Sequence, residues 1–289
     1  MQFRLRDKKK RGTLPNLIII GAAKCGTTSL HYYLGLHPEI FMSKEKELNF
    51  FANDRDWNRG IDWYKSNFTC NTKILGESSP LYTIYPLIKG IPKKMHSVIP
   101  NAKLIYSVRD PIERIISQYV QNYAIGLEHR KIEDALSQLD NNLYVLRSMY
   151  FMQLEQFLVY FPKSNILIIT LEDLYNQRIQ TLQKIFRFLD VDEDFYSPRF
   201  QIIKHDSKEK GRKNRIGLFL KRMSETNFAK IFSTDMRMNI GKILYIPFST
   251  KFERPLLTDE IKDKLVKHLK DDINQLREYT GSDFDSWSV

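Results

Sequence analysis

Short apolar runs alternate with longer amphipathic segments along most of the chain. Four runs are rich in β-branched residues and have the length of buried strands: Leu17–Ile20, Lys73–Gly76, Leu104–Val108 and Ile166–Thr170. Segments with helical periodicity lie between and after them, a pattern typical of parallel strands joined by helical crossovers. The sequence therefore predicts a three-layer α/β/α fold around a central parallel sheet of four to five strands.

Five segments are predicted to be helical. The first follows Gly26, carries Leu30, Tyr33 and Leu34 on one side, and ends near Gly35. The others open with residues that favour helix starts, such as Pro111 in a first turn, or show apolar residues at a spacing of three to four. They are Pro111–Tyr123, Leu143–Phe161, Arg178–Leu189 and Thr258–Tyr279.

The composition is that of a folded basic protein. Of 289 residues, 42% are apolar and 27% are charged, which excludes a disordered chain, and the formal net charge of +11 favours an anionic partner. The six histidines show no metal-ligand spacing, and no nucleic-acid-binding module is recognisable. The sequence leaves the oligomeric state open.

The chain is expected to form one domain over residues 16–289, after a basic lead-in over residues 1–15. Residues 205–215 are polar and basic and are predicted to be a loop. Cys25 and Cys70 cannot form a disulfide framework, and no apolar run is long enough to span a membrane. The lead-in lacks the apolar stretch of a secretory signal, so a cytoplasmic protein is expected.

A glycine-containing turn joins the first predicted strand to the first predicted helix, and this arrangement binds anions in many proteins. Gly21 and Gly26 keep the spacing of the ATP-binding loop G-x-x-x-x-G-K-[ST], so the fold is expected to be P-loop-like. Threonine replaces the usual lysine at position 27, and Lys24 lies inside the loop instead. Such a loop is poorly built to hold a γ-phosphate with Mg²⁺. The alternative is a tight connection that binds nothing.

A second candidate anion site follows the third predicted strand. Arg109 lies at the carboxyl end of that strand, where open α/β sheets bind ligands, and Ser117 lies on the next helix. A guanidinium and a hydroxyl from the two sides of one turn can hold a phosphate. The alternative is a surface pair of Arg109 with Asp110 and an ordinary helical serine.

Together these segments resemble the sulfotransferases that use 3′-phosphoadenosine-5′-phosphosulfate (PAPS), especially the heparan-sulfate-type branch and its bacterial relatives. Lys24–Leu30 is similar to the family's 5′-phosphosulfate loop, and Arg109–Ser117 to its 3′-phosphate motif. Lys46–Phe51 resembles the segment that carries the catalytic glutamate, and Lys210–Arg212 the late loop over the 3′-phosphate. The chain departs from the heparan pattern on the acceptor side, where Asn49 replaces a histidine and Ser78 a lysine.

The resemblance implies a metal-free, in-line transfer of the sulfuryl group from PAPS to a hydroxyl or amine, which leaves 3′,5′-adenosine bisphosphate (PAP). It makes Glu47 the base and Lys24 the group at the leaving phosphate. It implies a sugar-like or glycolipid acceptor and a binding role for a wider set of residues. These are Lys24, Cys25, Gly26, Thr27, Thr28 and Ser29 at the phosphosulfate, and Arg109, Ser117, Lys210, Gly211 and Arg212 at the 3′-phosphate.

Two other functions fit parts of the sequence. The loop alone is compatible with a P-loop nucleotide kinase or ATPase, although Thr27 argues against it. The net charge alone is compatible with a non-enzymatic protein that binds polyanions. Without the resemblance, Glu47 would be taken for part of a solvated charge run, Lys-Glu-Lys-Glu.

Overall fold

The computed structural model describes residues 12–202, 211–213, 249–251 and 254–289, and these fall into two compact units. The first unit comprises the described part of Met1–Pro111, Leu146–His205 and Leu269–Val289, and the second comprises the described part of Ile112–Val145 and Asp206–His268. The expected single domain over residues 16–289 stays a prediction. Residues 1–11 of the basic lead-in lie outside the described residues.

A five-stranded parallel sheet forms the centre of the first unit. In chain order its strands are β1 (Leu17–Gly21), β2 (Ile40–Met42), β3 (Ile74–Ser78), β4 (Lys103–Val108) and β5 (Ile166–Thr170). They lie side by side in the order β2-β3-β1-β4-β5, so β1 is central and Leu17 is in register with both Gly76 and Lys103. The predicted parallel α/β fold is confirmed, and β2 is a fifth strand at the edge.

Helices follow most of these strands. In chain order they are α1 (Thr27–Leu34), α2 (Asp54–Trp57), α3 (Ile61–Lys65), α4 (Ile91–Val98), α5 (Pro111–Ala124), α6 (Ile132–Ala135), α7 (Leu143–Leu146), α8 (Tyr150–Leu158), α9 (Leu171–Asn176), α10 (Arg178–Leu189) and α11 (Asp259–Thr280). Short 3₁₀ turns occupy Pro80–Tyr82, Lys163–Asn165 and Pro198–Gln201.

Both faces of the sheet are covered by helices. On one face, Ile19 of β1 and Ile105 of β4 belong to a buried cluster that includes Leu34 of α1 and Phe186 of α10. On the other face, Tyr106 of β4 packs edge-on against the ring of Tyr150 at the start of α8, with the ring centroids 6.0 Å apart. The continuous apolar runs of the central strands follow from this burial on both sides.

The long helix predicted over Leu143–Phe161 is wrong, because α7 ends at Leu146 and α8 begins at Tyr150. Side chains stabilise the break. The Gln153 amide donates a hydrogen bond to the Leu146 carbonyl at 3.1 Å, and the Asp272 carboxylate accepts from the N–H groups of Phe151 and Met152. Partners distant in sequence therefore satisfy backbone groups that a continuous helix would pair internally.

The loop predicted over residues 205–215 is also partly wrong. Gly211–Lys213 form a strand, β6, that pairs antiparallel with β7 (Ser249–Lys251) in the second unit. The partner lies almost forty residues further along the chain, so no local pattern could indicate the pairing. The remaining residues of that segment lie outside the described residues.

Candidate functional site

The turn between β1 and α1 is shaped to present backbone N–H groups. Gly26 precedes α1 with φ 76° and ψ 10°, in the left-handed region, and Lys24 has φ 76°. Glycine suits this conformation, and a Cβ at Gly26 would lie 2.5 Å from Cδ1 of Leu171, so any larger residue would have to displace that side chain. The first N–H groups of a helix have no intrahelical acceptor. The turn can therefore bind an oxyanion.

The end of β4 contacts this turn directly. The Ser107 hydroxyl donates to the Cys25 carbonyl at 2.6 Å, and the Ala22 N–H donates to the Ser107 carbonyl at 2.6 Å. Nη1 of Arg109 lies 3.5 Å from the Lys24 carbonyl oxygen. The structure thus brings Lys24 and Arg109, which are 85 positions apart, to one edge of the sheet.

The other predicted donor-binding residues of the turn differ in exposure. Thr27 and Ser29 are buried in the first turn of α1, whereas Thr28 is partly exposed. Cys25 is fully buried, and its Sγ lies 3.7 Å from the Tyr150 hydroxyl. The Cys25 side chain therefore packs into the interior, and only the backbone of this residue lines the turn.

The remaining residues predicted at the 3′-phosphate lie elsewhere in the chain. Ser117 is on α5 in the second unit, and the backbones of Gly211 and Arg212 form β6, also in the second unit. Lys210 lies outside the described residues. The part of these four residues in anion binding stays a prediction.

Glu47 lies on an irregular segment attached to the end of β3. Its backbone has φ 65°, and its N–H donates to the Ser78 carbonyl at 2.9 Å. The carboxylate is about half exposed, with Oε1 2.7 Å from Nζ of Lys46. Three residues further on, Phe50 is buried and its ring stacks on that of Tyr64, with the centroids 4.3 Å apart. The segment is fixed at its apolar end and presents a carboxylate to solvent.

His31 joins α1 to the Glu47 segment. Its Nε2 lies 3.1 Å from the Ser43 carbonyl oxygen. Burial, reinforced by the nearby Lys46 ammonium, lowers the pKa of His31 to about 4. The imidazole is therefore neutral at neutral pH and donates through Nε2–H to Ser43. Because His31 follows the turn between β1 and α1 by one helical turn, this bond connects that turn with the Glu47 segment.

A buried glutamate that the motif search missed lies at the end of β3. The Glu77 carboxylate has no exposure, and it accepts hydrogen bonds from the hydroxyls of Tyr64 (2.7 Å) and Tyr82 (2.8 Å) at Oε1 and of Ser79 (2.7 Å) at Oε2. Burial raises the pKa of Glu77, while the three hydroxyl donors favour its ionised form. The available sequence signal is a glutamate directly after the apolar run Ile74–Gly76.

In the ranges that the structure describes, no cluster of three or more histidine, cysteine, aspartate or glutamate side chains could hold a metal ion. Among the helices of those same ranges, none combines the length and the apolar character needed to cross a membrane.

Comparison with known proteins gives three findings. Residues 14–245 match the sulfotransferase domain family. Human heparan sulfate glucosamine 3-O-sulfotransferase 5 is 30% identical over 227 residues, covering 70% of this chain and 64% of that protein. Human bifunctional heparan sulfate N-deacetylase/N-sulfotransferase 2 is 28% identical over 198 residues, covering 62% of this chain and 22% of that protein. The chain therefore spans less than two thirds of either relative.

The fold is also shared with a solved structure. A sulfotransferase crystal structure from Alicyclobacillus acidocaldarius superposes with a TM-score of 0.67 at 22% sequence identity, and the match covers 96% of this chain and all of that one. This likeness confirms the three-layer α/β architecture.

Proposed function

Since this chain belongs to the sulfotransferase family, we propose that it transfers the sulfuryl group of PAPS to a hydroxyl or amine of a carbohydrate or glycolipid acceptor. One observation carries the proposal. A lysine lies inside the anion-binding turn between β1 and α1, and Arg109 adjoins that turn from the end of β4. Two cationic residues beside the N-terminus of a helix suit a nucleotide with anionic groups at both its 5′ and 3′ positions.

The residues of the turn fit the phosphosulfate end of this substrate. The Gly26 backbone is closely packed against the end of the Leu171 side chain, and the amides of Thr27 and Thr28 follow it at the start of α1. Lys24 provides a mobile positive charge next to those amides. On the opposite side of the ribose, we assign the 3′-phosphate to Arg109.

The reaction is a displacement at sulfur. The bond between sulfur and the bridging oxygen of PAPS breaks, and sulfur bonds to the acceptor oxygen or nitrogen. Glu47 takes the acceptor proton, since a carboxylate within reach of the acceptor can act as a general base. Lys24 and the turn amides stabilise the negative charge that develops on the leaving phosphate of PAP. These groups together hold donor and acceptor in line.

A glucosamine-containing saccharide is the acceptor class that the relatives support. Both human relatives are named for heparan sulfate, one for 3-O-sulfotransfer and one for N-sulfotransfer. The half-exposed Glu47 carboxylate can accept a proton, and the Lys46 ammonium beside it can attract an anionic sugar.

We also propose that the protein works in the cytoplasm. Cys70 is an exposed free thiol, and such a group persists best in a reducing compartment. Fractionation of cells that produce a tagged full-length chain tests this directly, and recovery of the protein in an extracellular or membrane fraction would contradict it.

The base assignment is tested by Glu47→Gln with Glu45→Gln as a matched control. Glu45 is an exposed carboxylate in the same charge run, two residues away. Transfer of labelled sulfate from PAPS to glucosamine oligosaccharides should be abolished in Glu47→Gln and retained in Glu45→Gln. PAP should bind both variants as it binds the wild type. Near-full turnover by Glu47→Gln would show that another group is the base.

The two other functions are distinguished by ligand. A nucleotide kinase would stop in EDTA, whereas the proposed transferase should continue. PAP should raise the melting temperature more than 5′-AMP does, because a ligand that favours the native state stabilises it. Equal shifts with both nucleotides and with inorganic polyphosphate would instead indicate general polyanion binding.

A further inference from the structure

We propose that Glu77 is a positioning residue that holds the Glu47 segment in its reactive geometry through Ser79 and Asn49. This role rests on the proposed function, in which Glu47 is the base. Glu77 is fully buried and is not itself expected to touch the substrate.

A continuous chain of hydrogen bonds leads from Glu77 to Glu47. The Ser79 hydroxyl donates to Glu77 Oε2 at 2.7 Å and accepts from the Asn49 N–H at 3.0 Å. The Asn49 side-chain amide then donates to the Glu47 carbonyl at 2.9 Å. The Glu47 N–H is bound separately, to the Ser78 carbonyl. Both peptide groups that flank the Glu47 side chain are thus tied to the end of β3.

The segment requires such anchoring because its backbone is strained. Glu47 and Asn49 have φ values of 65° and 51°, and both lie in the left-handed region that residues other than glycine rarely adopt. Residues in such conformations persist when surrounding contacts determine them. Without the bond from Ser79, the segment would relax and the Glu47 carboxylate would move.

The carboxylate at position 77 determines which group donates and which accepts in this chain of hydrogen bonds. The Tyr64 and Tyr82 hydroxyls both donate to Oε1, which leaves Oε2 to accept from Ser79. The Ser79 hydroxyl has one hydrogen, so donation to Glu77 frees its lone pairs for the Asn49 N–H. In the part of the chain that the structure describes, no lysine or arginine forms an ion pair with Glu77. The carboxylate is therefore committed to these hydroxyls.

The decisive variant is Ser79→Ala, with Ser78→Ala as its matched control. Ser78 is equally buried, and its hydroxyl has no hydrogen-bond partner among the described residues. In Ser79→Ala we expect kcat to fall at least tenfold, while the acceptor KM and the PAP dissociation constant stay within twofold of wild type. Ser78→Ala should keep kcat within twofold. A general loss of structure would instead alter PAP binding and kcat together.

Hydrogen exchange gives a readout that does not need turnover. Amides over residues 45–50 should exchange at least tenfold faster in Ser79→Ala than in Ser78→Ala, with α1 unchanged. If Ser79→Ala does not fold, Asn49→Asp tests the other end of the chain of bonds, because it keeps the tolerance for positive φ and loses the amide donor. We expect the same loss of kcat from that variant.

Different outcomes overturn different statements. A wild-type kcat in Ser79→Ala, or equal exchange over residues 45–50 in both serine variants, would refute the positioning role while the proposed function stands. A wild-type protein that binds PAP but transfers no sulfuryl group would refute the proposed function, and the catalytic meaning of the anchor with it.

Discussion

Replacing Gly26 by alanine tests whether the turn before α1 is the donor site. Two costs follow from the structure. Alanine in the left-handed region costs about 1–2 kcal/mol, and its Cβ would meet Leu171 Cδ1 at 2.5 Å. Leu171 is partly exposed and can turn its side chain end aside, so this contact should cost near the lower limit of the usual 1–3 kcal/mol, about 1 kcal/mol. We expect Gly26→Ala to lose about 2–3 kcal/mol of unfolding free energy.

Gly90 provides the matched control for this substitution. It precedes α4 with φ 79° and ψ 5°, almost the backbone of Gly26, but a Cβ there would meet nothing within 4 Å. Gly90→Ala should therefore cost about 1–2 kcal/mol in urea unfolding. In the double variant Gly26→Ala/Leu171→Ala, the contact between the new Cβ and Leu171 should be removed, while the backbone strain at position 26 remains.

PAP binding then distinguishes a glycine that is needed only for stability from a glycine that shapes a donor-binding turn. Titration calorimetry should show at least a tenfold loss of PAP affinity for Gly26→Ala and none for Gly90→Ala, since only the first displaces the turn amides. Equal stability losses in the two variants would refute the contact with Leu171 as a cause. Wild-type PAP affinity in a destabilised Gly26→Ala would refute the assignment of the turn.

Two further predictions concern pH. Burial raises the pKa of Asp272 from 3.8 to about 6, so its stabilising contribution is complete below pH 3.8 and is lost as the pH rises through 6. Between pH 4 and 7 the unfolding free energy of wild type relative to Asp272→Asn should fall by about 2 kcal/mol, and a constant difference would contradict this. Hydrogen bonds from Arg130 lower the pKa of Glu128 to about 2, so its contribution is present above pH 4.5 and is lost toward pH 2. Arg130→Ala should cost about 1–2 kcal/mol at pH 6 and much less at pH 2, measured by urea unfolding at both values.

The central strands could be predicted because burial on both faces leaves a continuous apolar run. β2 could not, since Ile40–Met42 is only three residues long and owes its conformation to pairing with β3. The break between α7 and α8 could not be predicted either. The residues there, Arg147–Met149, include no glycine or proline, and the break depends on Asp272, far along the chain.

The candidate site likewise has a part that the sequence predicts and a part that it does not. Lys24 and Arg109 could be placed together from sequence, because parallel strands bring their carboxyl ends to one edge of the sheet. The network at Glu77 could not be predicted. Its tyrosines precede it by 13 and follow it by 5 positions, a spacing set by α3 and by the 3₁₀ turn rather than by any motif.

The strand order explains why the residues proposed to bind the donor and the proposed base lie on opposite sides of the turn between β1 and α1. β1 supplies the turn and pairs with β3 on one side and β4 on the other, with Ile19 in register with both Ser78 and Ile105. β4 therefore delivers Arg109 to one flank of the turn. β3 anchors the Glu47 segment at the other flank. In the proposed reaction Lys24 of the turn stabilises the leaving phosphate, Arg109 binds the 3′-phosphate, and Glu47 takes the acceptor proton, so this sheet order separates donor binding from proton transfer.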